Sequence, residues 1–342
     1  MSRIVVYDLN NYAVGEFSAT CNRGWILLGN PGVSDGGETT VTVPDEVMLQ
    51  PWLQLGRLVL VERPPLPAWV GVIDTPWTAT LPAEITLYNA EYLISMRAAE
   101  RSVQFNGSAS SLVKEMLRLV NEQEETFIQI GQTDTEQALF NRVIEQRNIW
   151  DQLIKFLEES GYEMVVRPVR SDRNQLRLYA DVGVGLGVDT GFLLHDGEHA
   201  NMKVIEAKVN GKIINRVTSV SGTTTEEAQL QTEVQADQAS QESFRTRSEV
   251  VQFDKVTEIS MLTGYAQAYL DYGKRPYLDL IVDVMDIGDT FTHLRQGNRL
   301  LAHTSNVYLP GGIRGWSGNV RILAMVLDEH QNTVRSTIRG IL

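Results

Sequence analysis

The stretch His195-Asp-Gly-Glu-His199 is the densest cluster of metal-ligating residue types in the chain, with His195, Glu198 and His199 as its candidate ligands. Two imidazoles four residues apart can meet one ion on a helix. Gly197 and the flanking acids favour a turn instead, and a metal centre needs three or four placed ligands. A polar turn leading into a strand is therefore expected, with no metal and no cofactor assigned. Gly183-Val-Gly185-Leu-Gly187 suggests a phosphate loop, but the dinucleotide fingerprint needs a glycine where Val188 stands, and no Gly-Lys-Ser/Thr follows. It reads as a flexible joint. No Gly-x-Ser-x-Gly elbow occurs. The remaining histidines, His293, His303 and His330, lie in the C-terminal region. Adjacent acids such as Glu124-Glu125 and Glu158-Glu159 lie on or beside helices, where solvated faces are expected. Nothing singles out a carboxylate pair of the kind a glycosidase uses. No catalytic residue is assigned, and the expectation is a protein that is not an enzyme.

Cys21 is the only cysteine, so neither an internal disulfide nor a cysteine-based zinc site can form. In a strand it reads as a small core residue. The 342 residues carry 43 acids against 30 bases, a formal net charge of −13. Gripping nucleic acid requires cations that neutralise phosphates, so stable DNA or RNA binding is disfavoured. An acidic wall would still let DNA pass without sticking. Hydrophobic residues make up 43% and charged residues 21%, the balance of a folded protein. No run of the ~18 apolar residues a membrane helix needs is present. Asp8 breaks the short apolar run at the start, so no signal-peptide layout is found and assembly in the cytoplasm is expected.

The elements that hold these residues fall into three regions, and the length suits two or three units. Residues 1–98 read as β, with runs at Ile4–Tyr7, Trp25–Leu28, Thr39–Val43, Leu58–Glu62 and Trp69–Ile73. Turn signals at Asn30-Pro31-Gly32, Ser34–Gly37 and Pro64–Pro67 separate them. A small barrel or sandwich is expected. Residues 99–182 read as α+β. Leu112, Val113, Met116, Leu117 and Val120 have helical spacing behind a Ser110 cap. A second helix, capped by Asn148 and Asp151, carries Trp150, Leu153, Ile154 and Leu157 and stops at Gly161. Strands are expected at Phe127–Ile130, Leu139–Ile144, Tyr162–Val166 and Leu176–Tyr179. Asn210-Gly211, between Met202–Val209 and Lys212–Val220, predicts a hairpin. Residues 223–247 are polar and read as a surface excursion or mobile loop. A third helix is expected from Thr257 to Tyr272, with Ile259, Leu262, Ala266 and Leu270 on one side. Strands follow at Tyr277–Val284, Arg299–Ala302, Asn306–Leu309, Val320–Leu327 and Val334–Ile338.

The stretch Lys212-Ile-Ile-Asn-Arg-Val-Thr-Ser-Val-Ser-Gly222 resembles the strand ending in Asn-Arg-Val, with its short turn, of phage tail-hub and baseplate-hub proteins. A polar segment, a helix bearing Ala and Leu, and a basic-Pro step follow in that family. Thr223–Glu249, Leu262–Tyr272 and Lys274-Arg275-Pro276-Tyr277 are similar to these, and Ile287-Gly288-Asp289 resembles the Gly-Asp step into the closing barrel. The resemblance spans nearly the whole chain in element order. It implies a mainly β fold with α+β: two small β-barrels, 1–98 and the split 187–222 plus 275–342, and a helix–strand unit 99–182 against which 223–274 packs. It also implies a homotrimer whose six barrels form a pseudo-hexameric hub ring at the end of a tail tube in the virion. The partners implied are a distal tail or tube protein, a tape-measure protein, and spike or fibre proteins, with DNA passing only transiently. A distal-tail ring protein and a tail-associated cell-wall-degrading enzyme are the alternatives, and a metal-stabilised module using His195 and His199 is a third. Long-tailed relatives often extend into a peptidase, lysin or fibre. With the sequence ending at Ile341-Leu342, such an activity is expected on another chain.

Overall fold

In the first 90 residues, apolar side chains alternate between two faces and both faces are covered. The computed structural model describes residues 1–30, 37–78, 80, 82–134, 139–171, 174–210, 212–221, 230–232, 234–253, 256 and 259–342. It begins with β1 (Ser2–Tyr7), β2 (Ala13–Ala19), β3 (Arg23–Ile26), β4 (Glu38–Val43), the one-turn helix α1 (Asp45–Met48), β5 (Leu58–Glu62), β6 (Trp69–Thr78) and β7 (Ala83–Asn89). Six of these strands form an antiparallel sheet in the order β2-β1-β5-β6-β7-β4. Its edges β2 and β4 approach one another, so the sheet curls on itself. Ile4, Val6, Val59, Val61, Ile85 and Leu87 fill the core on one face. Val5, Tyr7, Leu58, Leu60, Val70 and Val72 point the other way into a second core. The two-residue period of a strand thus serves two cores at once. The turn residues 31–36 lie outside the described residues.

The next region holds the one-turn helix α2 (Tyr92–Ser95), β8 (Val103–Ser108), α3 (Ala109–Asn121), β9 (Ile128–Thr133), β10 (Leu139–Ile144), α4 (Ile149–Ser160), β11 (Glu163–Arg170) and β12 (Leu176–Gly183). β8 pairs with β10, while β11, β12 and β9 form a three-stranded sheet in which β9 runs parallel to β12. Helix α3 buries Leu112, Val113, Met116, Leu117 and Val120 as their spacing predicts, but Ser108 caps it, not Ser110. Ser108 alone is extended just ahead of the first turn, so its hydroxyl can accept from the Ser111 amide. Asn148 accepts from the amides of Trp150 and Asp151, and Gly161 ends α4 at φ 71°. Only glycine adopts that left-handed position without strain.

The remainder comprises β13 (Asp189–His195), β14 (Met202–Asn210), β15 (Arg216–Ser221), β16 (Gln235–Ala236), α5 (Gln238–Phe244), β17 (Ser248–Phe253), α6 (Ile259–Gly273), β18 (Tyr277–Met285), a 3-10 turn (Thr290–His293), β19 (Arg299–Leu309), β20 (Ile313–Asp328) and β21 (Thr333–Ile341). A second sheet runs β13-β19-β20-β21-β18-β14. The chain is therefore mainly β with α+β character.

The predicted hairpin does not form. β14 pairs with β18, whereas β15 lies in a separate sheet between β16 and, in parallel, β17. The reason is hydrophobic. Ile214 and Val217 pack on Ala266 and Leu270 of α6, while Leu278, Leu280, Val282 and Val284 of β18 line the large core. Gly211 itself lies outside the described residues. The described part of the polar stretch after residue 222 holds regular structure that its composition does not predict. It contributes β16 and α5, and Thr232 and Ser240 are buried. Residues 222–229 and 233 lie outside the described residues. In α6, Ile259 is exposed and Tyr265 is buried in its place; Thr257 lies outside the described residues.

β3 does not join the first sheet. It pairs with the second half of β20, taking the place that β19 occupies along the first half. Beyond it, Leu27 donates to the Leu323 carbonyl, and Leu28 and Met164 exchange backbone hydrogen bonds. Residues 23–28 thus join the second sheet and then β11. Trp69 Nε1 donates to the Gly24 carbonyl at 2.8 Å, and one core runs through both large sheets.

Candidate functional site

The turn expected at His195–His199 is present. Asn201 closes it: its side chain accepts from the His195 amide at 2.8 Å and donates to the Leu193 carbonyl at 2.9 Å. Asp196 accepts from Thr304 Oγ1, the Ser305 amide and Asn306 Nδ2, which fixes the turn to β19. Burial raises the Asp196 carboxyl pKa, but these hydrogen bonds outweigh it and hold the group below the usual range. Glu198 and His199 project into solvent, and His199 sits in the left-handed region at φ 56°. His195 lies in register with His303 on β19. Among the described residues, no group of three His, Cys, Asp or Glu side chains comes together as a metal site would require.

The other chemically suggestive residues have structural occupations. Cys21 is buried, and burial pushes its thiol up to about 12, far from a thiolate at neutral pH. Glu159 pairs with Arg142 at 3.0 Å and Lys155 at 3.6 Å, and Glu124 pairs with Arg97. Glu125 accepts the Phe127 amide. The glycine stretch 183–187 is pinned, in contrast to the flexible joint its composition predicts. Leu186 donates to Glu163 at 2.9 Å and its carbonyl accepts from Arg321, which forms a two-pronged ion pair with Glu163. Val188 donates to Asn298 Oδ1 and Arg299 to the Gly185 carbonyl. A Cβ at Gly187 would sit 2.2 Å from the Gly297 backbone, so the glycine is there for close approach.

The features that remain are surfaces. β19 and β20 continue past their neighbours as a two-stranded ribbon, with exposed Tyr308 and Ile313 near its tip and Arg314 over the Tyr308 ring. Leu193 and Leu301, register partners on β13 and β19, are both exposed. On the outer side of β18 and β21, Asp279–Arg339 and Asp283–Arg335 form cross-strand ion pairs. Arg339 also lies 3.9 Å from the Tyr277 ring centroid and donates to Tyr272 of α6, clipping that helix to the second sheet. Among the described residues, no helix is long and apolar enough to cross a membrane.

No protein-family model matches the chain, and no curated protein matches it. Solved structures do. Prophage tail protein gp18 from Listeria monocytogenes superimposes with a TM-score of 0.60 at 13% identity, over 98% of this chain and 94% of that one. The 43 kDa tail protein of prophage MuSo2 from Shewanella oneidensis gives 0.61 at 13% identity, over 99% and 98%. The chain has a phage tail-protein fold. A tail protein from Neisseria meningitidis extends the likeness, at 0.59 and 13% identity over 99% and 96%. The resemblance segment centres on Asn215. That side chain is wholly buried, donating to the Arg245 carbonyl at 2.7 Å and accepting the Arg247 amide at 2.8 Å. The Asn-Arg-Val stretch is thus a backbone junction, and no feature of spacing announces that role. Gln152 was equally hidden: it lies on the buried side of α4 and bonds Glu145, Arg147 and Asn148.

Proposed function

We propose that this chain is a structural hub subunit at the tip of a phage-type tail and not an enzyme. The observation that carries the reading is the end-to-end match to prophage tail proteins: 98–99% of this chain and 94–98% of theirs. The two large sheets serve as the two barrels of each subunit. Three subunits then close a pseudo-hexameric ring that ends the tail tube and surrounds its channel. The ring docks a distal tail or tube protein on one side and tape-measure, spike or fibre proteins elsewhere, within the virion tail. The exposed ribbon and the apolar Leu193–Leu301 pair supply contact surface, since apolar patches on a soluble subunit mark interaction sites. Residues 195–199 serve as a closed polar turn without a metal.

Light scattering of the purified chain at high concentration, paired with negative-stain imaging, tests the reading. A species of three times the chain mass and a threefold ring are expected. A monodisperse monomer that forms no ring with tube protein overturns it. Sixfold rings would mark the chain as a distal-tail ring protein instead. Lytic activity in a cell-wall zymogram, abolished by changing one acid, would show a degrading enzyme.

A further inference from the structure

A cleft of about 670 Å³ with mixed polar and apolar walls opens where the three regions of the chain meet. The turn between β5 and β6, the end of β9, the middle of β11, residues 184–188 and the segment before β19 all contribute to its walls. Four charged side chains line it: Arg167, Arg295, Asp134 and Asp181. Three of them are engaged. Arg167 Nε donates to Asp181 Oδ2, whose other oxygen accepts the Gln132 amide at 2.6 Å. Asp134 accepts the Val184 amide at 2.6 Å.

Arg295 differs. Its guanidinium donates to the carbonyls of Leu294 at 2.7 Å and Pro65 at 2.9 Å, and no carboxylate among the described residues pairs with it. A guanidinium has five N–H donors, so three have no acceptor among the described residues. Burial alone pushes its pKa down, with no nearby acid acting in the opposite direction. Arg295 is half-buried, so part of its guanidinium still faces the open cleft as a fixed cation.

We infer that this cleft is a docking site for a carboxylate on an incoming polypeptide, with Arg295 as the anchoring fork. A guanidinium offers two parallel donors that match a carboxylate. The cleft volume lies within the range of ligand sites, and Pro67, Val165, Pro168, Val184 and Leu186 give it apolar walls beside the cation. A single negative charge fits better than a phosphate dianion, because Asp134 and Asp181 already share the cleft. The occupant is therefore a peptide segment with one carboxylate flanked by apolar residues, from an acidic side chain or a chain terminus. The source of that peptide, a neighbouring tail component, rests on the proposed function; the binding itself does not.

The test titrates the full chain, with the Arg295 Nε–H signal followed by NMR. Three probes are used: acetyl-Leu-Glu-Leu-amide, acetyl-Leu-Leu with a free carboxylate, and the uncharged acetyl-Leu-Gln-Leu-amide. A saturable shift is expected with one or both acids, and the uncharged peptide should bind about tenfold more weakly, as loss of one charge-assisted pair implies. Whichever acid binds more tightly identifies a side chain or a terminus as the source. Arg295→Gln should abolish the difference between the Glu and Gln peptides in a methyl-detected titration, while Arg295→Lys should keep part of it. Equal binding of the Glu and Gln peptides to the wild-type chain overturns the proposal even if the variants fail to fold. So does inorganic phosphate binding more tightly than either acid. A monomeric chain that binds the acids would sink the hub reading and leave this site standing.

Discussion

Asn215 uses both ends of its amide on backbone: Nδ2 on the Arg245 carbonyl and Oδ1 on the Arg247 amide, while its own carbonyl accepts from Asp237 and Gln241. Replacing it with alanine takes these partners from two part-buried backbone groups, the Arg245 carbonyl and the Arg247 amide, and each such loss costs about 1–3 kcal/mol. Asn215→Ala is therefore expected to lower stability by at least about 2 kcal/mol in urea unfolding; a loss under half of that would mean water fills the gap. Asp196 gives a pH-dependent prediction. Its carboxyl pKa is lowered in the folded chain, so its stabilisation is complete above the ordinary aspartate value of about 4 and fades as pH falls through the lowered one. The stability gap between the wild type and Asp196→Ala, about 1–2 kcal/mol at neutral pH, should close in acid. A gap that is unchanged below pH ~3 would show that the ionised form makes no special contribution.

At the scale of elements, the salient contact is between the start of the chain and the β20–β21 turn. Arg23 is fully buried, with Nη1 2.8 Å from Glu329, and its guanidinium lies over the Trp25 ring. Removing one partner of such a pair leaves an uncompensated charge, so Arg23→Met should cost about 3–5 kcal/mol, and the double variant Arg23→Met/Glu329→Leu should recover most of it. Chemical denaturation of the three proteins checks this, and a double variant as weak as the single one would contradict it. The strands themselves were largely legible: β5 and β10 fall where their β-branched and apolar runs predict, and α3 and α4 follow from spacing. Partners were not. Asn210-Gly211 carries a strong local hairpin signal, yet β14 joins β18 because the alternating stripe of Leu278–Val284 continues the core. Turn chemistry acts over two residues, whereas burial acts across the molecule. The junction cleft was illegible for the same reason, since Arg167 and Arg295 come from distant segments that only the tertiary fold brings together.

For the whole molecule, the formal net charge of −13 sets how it meets DNA. In a gel-shift experiment at physiological salt, the purified chain should leave linear duplex DNA unretarded, because it lacks the cationic surplus that releases counterions. Tight, salt-sensitive retardation would exclude a channel that DNA merely traverses. The path of residues 23–28 has a further consequence, which concerns time. β3 sets Arg23–Ile26 against Leu327–Ala324 of β20, a partner made roughly 300 residues later, or some ~15–60 s at about 5–20 residues per second. Until the ribosome reaches that point, the first strands can curl, but β3 has no β20 to pair with. A fragment ending before residue 313 should therefore aggregate or recruit a chaperone, and the same fragment should regain a native-like spectrum when a separate peptide spanning 313–342 is supplied.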